Sequence, residues 1–200
     1  MEQNPSRAVF ELLRARKAHV SFAESLTGGL IAATLISNSG ASEVLDESYV
    51  AYAAESKIRI LGVRRETVER DGVVSAQCAR EMAEGVRRIS GADWGVSATG
   101  LAGPDGGTEQ IPVGTVFVGV AGAGGARAFE FHFAGDRAQV RRQAVDAALS
   151  ALVHCMEHEL PSEAVPDLHE DRRVHLWWRL RHDSADPAGD RGGEEVDRRK

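Results

Sequence analysis

The chain has 200 residues, 42% hydrophobic and 27% charged, with a net charge of −6: a globular composition, long enough for one ordinary domain and a tail. Its basic residues do not bunch within the first 160 positions, which argues against nucleic acid as a ligand yet leaves room for a local cationic pocket. No stretch approaches the roughly 18 apolar residues of a membrane span, no leader pattern opens the chain, and Cys78 and Cys155 lie outside any metal or redox motif; the expectation is a cytoplasmic protein with no membrane partner.

In chain order, Val9, Phe10, Leu12 and Leu13 predict an amphipathic helix over 6–17, with Ser6 as its N-cap. A strand follows over 19–24 and a helix over 28–38, ending at Ser39-Gly40. VLDESYVAYA, 44–53, carries β-forming Tyr49, Val50 and Tyr52 and predicts a strand. Residues 55–61 form a short helix and 65–70 a further turn. Ser75 caps a helix in which Cys78, Met82 and Val86 share one face. DWGVSAT, 93–99, is a strand, followed by the glycine-rich loop GLAGPDGGTEQIP, 100–112. Strands over 113–121 and 126–133 flank Gly122-Ala123-Gly124-Gly125 as a hairpin. A long alanine-rich helix occupies 136–159. Residues 161–200 mix charges of both signs with three prolines and little periodicity, and predict a disordered tail with one apolar segment around Trp177-Trp178. The domain therefore spans 1–160.

Strands alternating with helices imply a three-layer α/β/α sandwich on a mixed, mostly parallel sheet. Ligands of such folds bind at the carboxyl ends of the strands, where Ser25 and Thr99 fall. Ser25 stands in AESLTGGL between the first strand and the next helix. Gly28 and Gly29 allow close backbone approach, and unpaired N–H groups of a first helical turn suit an oxyanion or phosphate. The same position also suits an ordinary N-cap serine.

A nucleophilic serine needs a base. None of the seven histidines falls at a suitable strand end, and lysine is the alternative. Of 24 basic side chains only Lys17, Lys57 and Lys200 are lysine. Arginine cannot lose its proton, whereas a buried lysine can, so Lys57 is the candidate. At pH 7 an unperturbed lysine is neutral in only about one molecule in 2500; burial must lower its pKa. Tyr52 can relay the proton, or act as the base beside a charged Lys57, and the residues alone do not choose. The 100–112 loop lacks the spacing of a dinucleotide fingerprint or a P-loop; it either cradles a ligand through its N–H groups or is a plain excursion. Arg137 and Arg141, at the start of the last helix, oppose its dipole; phosphate binding or a salt bridge would justify them. His154-Cys155-Met156-Glu157-His158 fits an H-x-x-E-H zinc pattern, but no third ligand is apparent, and no metal is expected.

Together, AESLTGGLIAATL, SYVAYAAESKIRILGV, GVVSAQCAREMAEGV, SATGLAGPDGGTEQIPVGTV and FAGDRAQVRRQA resemble, in this order, the CinA C-terminal domain family over about residues 6–157. Its enzymatic members are nicotinamide-nucleotide amidohydrolases. The resemblance implies a three-layer fold and cofactor-free hydrolysis of nicotinamide mononucleotide to nicotinate mononucleotide and ammonia, with a homodimer as the expected assembly. It puts the nucleophile on Ser25, the proton-handling pair on Tyr52 and Lys57, and substrate contacts on Thr27, Gly28, Gly29, Thr99 and Gly100. Arg137 and Arg141 would hold phosphate, Arg137 the better placed. Where that family reads Lys-Pro-Val-Gly-Thr, this chain has Ile111 before Pro112, so a positive charge near the loop is lost. The alternatives are a Ser-Lys hydrolase of another small amide, or a non-catalytic binding module linked to competence or DNA damage.

Overall fold

A computed structural model describes residues 4–158; the expected tail and its tryptophan pair lie outside the described residues. Helix α1 (Pro5–Arg16) begins one residue earlier than expected, because the Asn4 side chain caps it and Pro5 takes the first turn. Ser6 instead donates to the Thr34 carbonyl at 2.9 Å, tying α1 to α2. Strand β1 (Val20–Glu24) leads through residues 25–29 to helix α2 (Leu30–Ile36). Strand β2 is shorter than expected (Leu45–Val50), since residues 51–53 leave the sheet. A turn of helix, α3 (Ala54–Ser56), runs on as a π-helix over Lys57–Leu61, a local widening of the helix common at functional sites. Then come α4 (Arg65–Asp71), α5 (Ala76–Ser90), β3 (Trp94–Gly100), β4 (Thr115–Gly122), β5 (Gly125–His132) and α6 (Arg137–Glu157). Ser75 caps α5, and Asp136 and Gln139 close a reciprocal capping box on α6.

The five strands lie in the order β2-β1-β3-β4-β5. β1 pairs parallel with β2 and β3; β3–β4 and β4–β5 are antiparallel, so only β4 runs against the rest. Gly122 pairs with Gly125 at the end of the expected hairpin. Strand alternation divides the side chains between two layers. Val20, Phe22, Val96, Ala98, Val116 and Val118 pack with Phe10, Leu13, Leu35, Leu149 and Leu152 of α1, α2 and α6. Ala23 belongs to the opposite cluster, with Leu61, Cys78, Met82 and Val86.

On that second face the sheet presents Gly95, Ser97 and Gly119, and α5 settles directly on them. Ser97 Oγ donates to the Ala79 carbonyl at 2.6 Å. A Cβ on Gly95 or Gly119 would sit 2.2 Å from a helix carbonyl oxygen. Small residues here set the depth of α5, and with it the place of Cys78 beside Lys57.

Candidate active site

Alternation along β1 has a chemical result. Glu24 continues the α2 side of the sheet, and Ser25, one residue on, falls on the α5 side. The Ser25 N–H donates to Ala98 O at 2.9 Å, which anchors the residue to β3. Lys57 opens the π-helix and sends its amine back under β1. Its Nζ lies 2.9 Å from Ser25 Oγ, 2.7 Å from Ala51 O and 3.2 Å from Tyr52 O. Those carbonyls are where the expected β2 strand breaks off: the chain leaves the sheet to turn them toward the lysine.

Lys57 is 1% exposed and Ser25 8%. Burial pushes the lysine pKa below its ordinary 10.5. Cys78, also buried, has its own pKa pushed up to about 11, so its thiol stays neutral and supplies no counter-charge. Three acceptors surround the amine: as an ammonium it donates to both carbonyls and to Ser25 Oγ, and once deprotonated it can keep the two carbonyls with its N–H groups and turn its lone pair to the Ser25 hydroxyl.

Glu24 carries no role in the sequence reading, yet it organises the turn. It is fully buried. One carboxylate oxygen accepts from the N–H groups of Gly29 (2.9 Å) and Ile31 (3.1 Å); the other accepts from Ala32 N–H (3.0 Å) and Ser48 Oγ (3.3 Å). The α2 N-terminus, expected to hold an oxyanion or phosphate, is thus already satisfied from within. The missed signal was the carboxylate immediately before Ser25, on the face where α2 begins. Gly28 N–H closes the turn onto Ser25 O at 3.2 Å. Gly28 and Gly29 have φ of +61° and +96°, which explains the glycine pair as backbone geometry. The N–H groups of Leu26 and Thr27 donate to no partner among the described residues, and they are the free donors beside Ser25.

The other expected residues divide. Tyr52 is 63% exposed, and its hydroxyl accepts from Arg137 at 3.2 Å; only its carbonyl touches Lys57. In this structure the tyrosine hydroxyl is bonded to Arg137, and no hydrogen bond links it to Ser25 or to the Lys57 amine. Arg137 also donates to Gly103 O at 2.7 Å, linking Tyr52 to the glycine-rich loop. Arg141 does not present its whole guanidinium to a ligand: Nε donates to Leu26 O at 2.9 Å and an Nη to Thr27 O at 2.8 Å. Thr27 is fully buried and its hydroxyl has no partner among the described residues. Thr99 spends its hydroxyl on Val73 O at 2.7 Å. Gly100 has no room for a Cβ, which would meet Thr115 O at 2.6 Å. Ile111 closes a small turn with Thr108 at the loop's far end. At the end of α6, His154 and His158 stack at 4.5 Å, and no group of three metal-ligating side chains converges among the described residues. No helix there is long and apolar enough to cross a membrane.

The fold and site define a mixed α/β protein with a buried Ser–Lys pair at the carboxyl end of its sheet, an arrangement of the kind that nucleophilic catalysis requires. The chain belongs to the CinA C-terminal domain family, whose model matches residues 2–156. It is 51% identical over 140 residues to a CinA-like protein of Anaeromyxobacter sp. (strain K), covering 70% of this chain and 34% of that protein. The chain thus spans about a third of the length of the curated relatives it matches. Among solved structures it resembles the competence damage-inducible protein A of Klebsiella pneumoniae, with a TM-score of 0.75 and 35% identity over 78% of this chain and 96% of that one. A competence/damage inducible protein of Agrobacterium tumefaciens matches with a TM-score of 0.74 and 35% identity, over 77% and 94% respectively.

Proposed function

We propose that the chain is a nicotinamide-nucleotide amidohydrolase, acting on the carboxamide of nicotinamide mononucleotide without a cofactor. The observation that carries a serine hydrolase is the 2.9 Å contact between Lys57 Nζ and Ser25 Oγ in a buried setting; the pyridine nucleotide rests on the family resemblance. Neutral Lys57 takes the Ser25 proton as Oγ attacks the amide carbon. The oxyanion forms beside the free N–H groups of Leu26 and Thr27; one such donor is typically worth about 3–4 kcal/mol. The lysine ammonium returns its proton to the departing nitrogen, the C–N bond breaks, and ammonia leaves. Water, deprotonated by Lys57, then splits the Ser25 ester and releases the carboxylate.

Arg137 is the phosphate candidate. It is exposed, and its present acceptors, Gly103 O and the Tyr52 hydroxyl, are neutral groups that a phosphate can outbid. A cytoplasmic setting and a homodimer are further expectations of this reading. The test is ammonia release from nicotinamide mononucleotide, with Ser25→Ala alongside. Release that vanishes in the variant is expected. A folded wild type that releases none would shift the reading to another amide, with Ile111→Lys the first reversion to try, or to a non-catalytic binding module.

A further inference from the structure

Arg141 grips two consecutive peptide carbonyls 115 and 114 residues away in sequence, with one prong each on Leu26 and Thr27. A trans peptide is planar, with its C=O and N–H pointing in opposite directions. Holding Leu26 O from the α6 side therefore turns the Thr27 N–H to the other side of the turn. Holding Thr27 O fixes the next peptide, whose Gly28 N–H reaches Ser25 O. That contact in turn fixes the Ser25–Leu26 peptide, and with it the Leu26 N–H. Both unpartnered donors beside the nucleophile are thus aimed by bonds made on the far ends of their own peptide units. The guanidinium charge also polarises the Leu26–Thr27 unit, which strengthens its N–H as a donor.

We infer that Arg141 is a positioning residue that builds the oxyanion site beside Ser25, and is not a phosphate anchor. This rests on the acyl-transfer reading of Ser25 and deepens it. Gly28 fits the same role: its αL backbone brings it under the guanidinium, where a Cβ would lie 3.4 Å from Nη2. Lysine cannot reproduce the grip, because a single ammonium cannot hold two carbonyls with the geometry of a planar fork.

The test compares Arg141→Lys, Arg141→Gln and Arg137→Ala on nicotinamide mononucleotide and on its dephosphorylated nucleoside. Both Arg141 variants should lower kcat by about 10- to 100-fold, part of the ~10²–10³ typical of losing one oxyanion donor. KM should stay within about twofold, and the fold-loss should be equal on the two substrates. Arg137→Ala should lose on the mononucleotide alone. A raised KM confined to the phosphorylated substrate in the Arg141 variants would return Arg141 to phosphate binding and overturn the inference. A parallel readout follows acylation of Ser25 by p-nitrophenyl acetate, by burst and intact mass. A wild type that acylates but leaves the nucleotide intact refutes the substrate alone, and slower acylation in both variants then still supports Arg141. Unchanged acylation in the variants, or none in the wild type, overturns the inference.

Discussion

Removing Glu24 should come close to unfolding the domain. In Glu24→Ala the N–H groups of Ile31 and Ala32 lose their acceptor in buried surroundings. Each buried, unsatisfied donor costs about 1–3 kcal/mol. Gly29 N–H is only partly buried and recovers much of its loss from water. A negative charge at the head of α2 is also removed, worth about 0.3–1 kcal/mol more. The sum is about 2–7 kcal/mol, against a typical domain stability of about 5–15 kcal/mol. Glu24→Gln separates the contributions. Its amide has one oxygen, so whichever way it turns, an NH₂ group faces at least one backbone donor. Its cost should be about 1–3 kcal/mol, intermediate between wild type and the alanine variant. Urea unfolding followed by circular dichroism measures both. A loss under about 1 kcal/mol in Glu24→Ala would mean that water reaches the head of α2, and the internal-cap argument would fail.

The pH dependence of turnover should report Lys57. Its folded pKa lies below 10.5 because of burial, so kcat/KM should climb with pH as the amine deprotonates and level off below 10.5; a plateau reached only above that value would remove the lysine as base, and Lys57→Arg should be inactive at every pH. The same shift has a stability consequence: between the lowered folded pKa and 10.5 the unfolded chain binds more protons, so stability should rise with pH across that window, and Lys57→Met should lose this slope in urea titrations. Thr27→Val keeps the backbone N–H and replaces a buried hydroxyl without a described partner by a methyl group, and should raise stability by up to about 1 kcal/mol with turnover unchanged; a tenfold loss of activity would make the Thr27 hydroxyl itself a substrate contact. Gly119→Ala puts a Cβ 2.2 Å from Ala79 O and should cost about 3 kcal/mol, the upper end of overpacking; a thermal melt at the wild-type midpoint would show that α5 can move outward freely.

Much of the fold was legible because its signals are local. Runs of β-forming residues, helical spacing and glycine-rich turns located every strand and main helix, and Ser75 announced its cap. Strand ends were less legible. β2 stops at Val50 although Tyr52 is a strong β-former, because the carbonyls of Ala51 and Tyr52 are drawn to Lys57. α1 starts at Pro5 because Asn4, not Ser6, has its side chain over the first turn.

The site divides along the same line. Sequence alone determined which residues were chemically unusual: a serine on a glycine-rich strand-to-helix turn, and a rare internal lysine in an arginine-dominated chain. Such singularities survive without coordinates because they depend on residue type and local order. Only the tertiary structure decided what each polar group spends its bonds on. It brought Lys57 to Ser25 across 32 residues, drew Glu24 into α2 and Arg141 onto the turn, and carried the Tyr52 hydroxyl to Arg137. A hydrogen-bond donor has few partners and a fixed direction, and in a buried site its choice depends on neighbours that the chain order does not name.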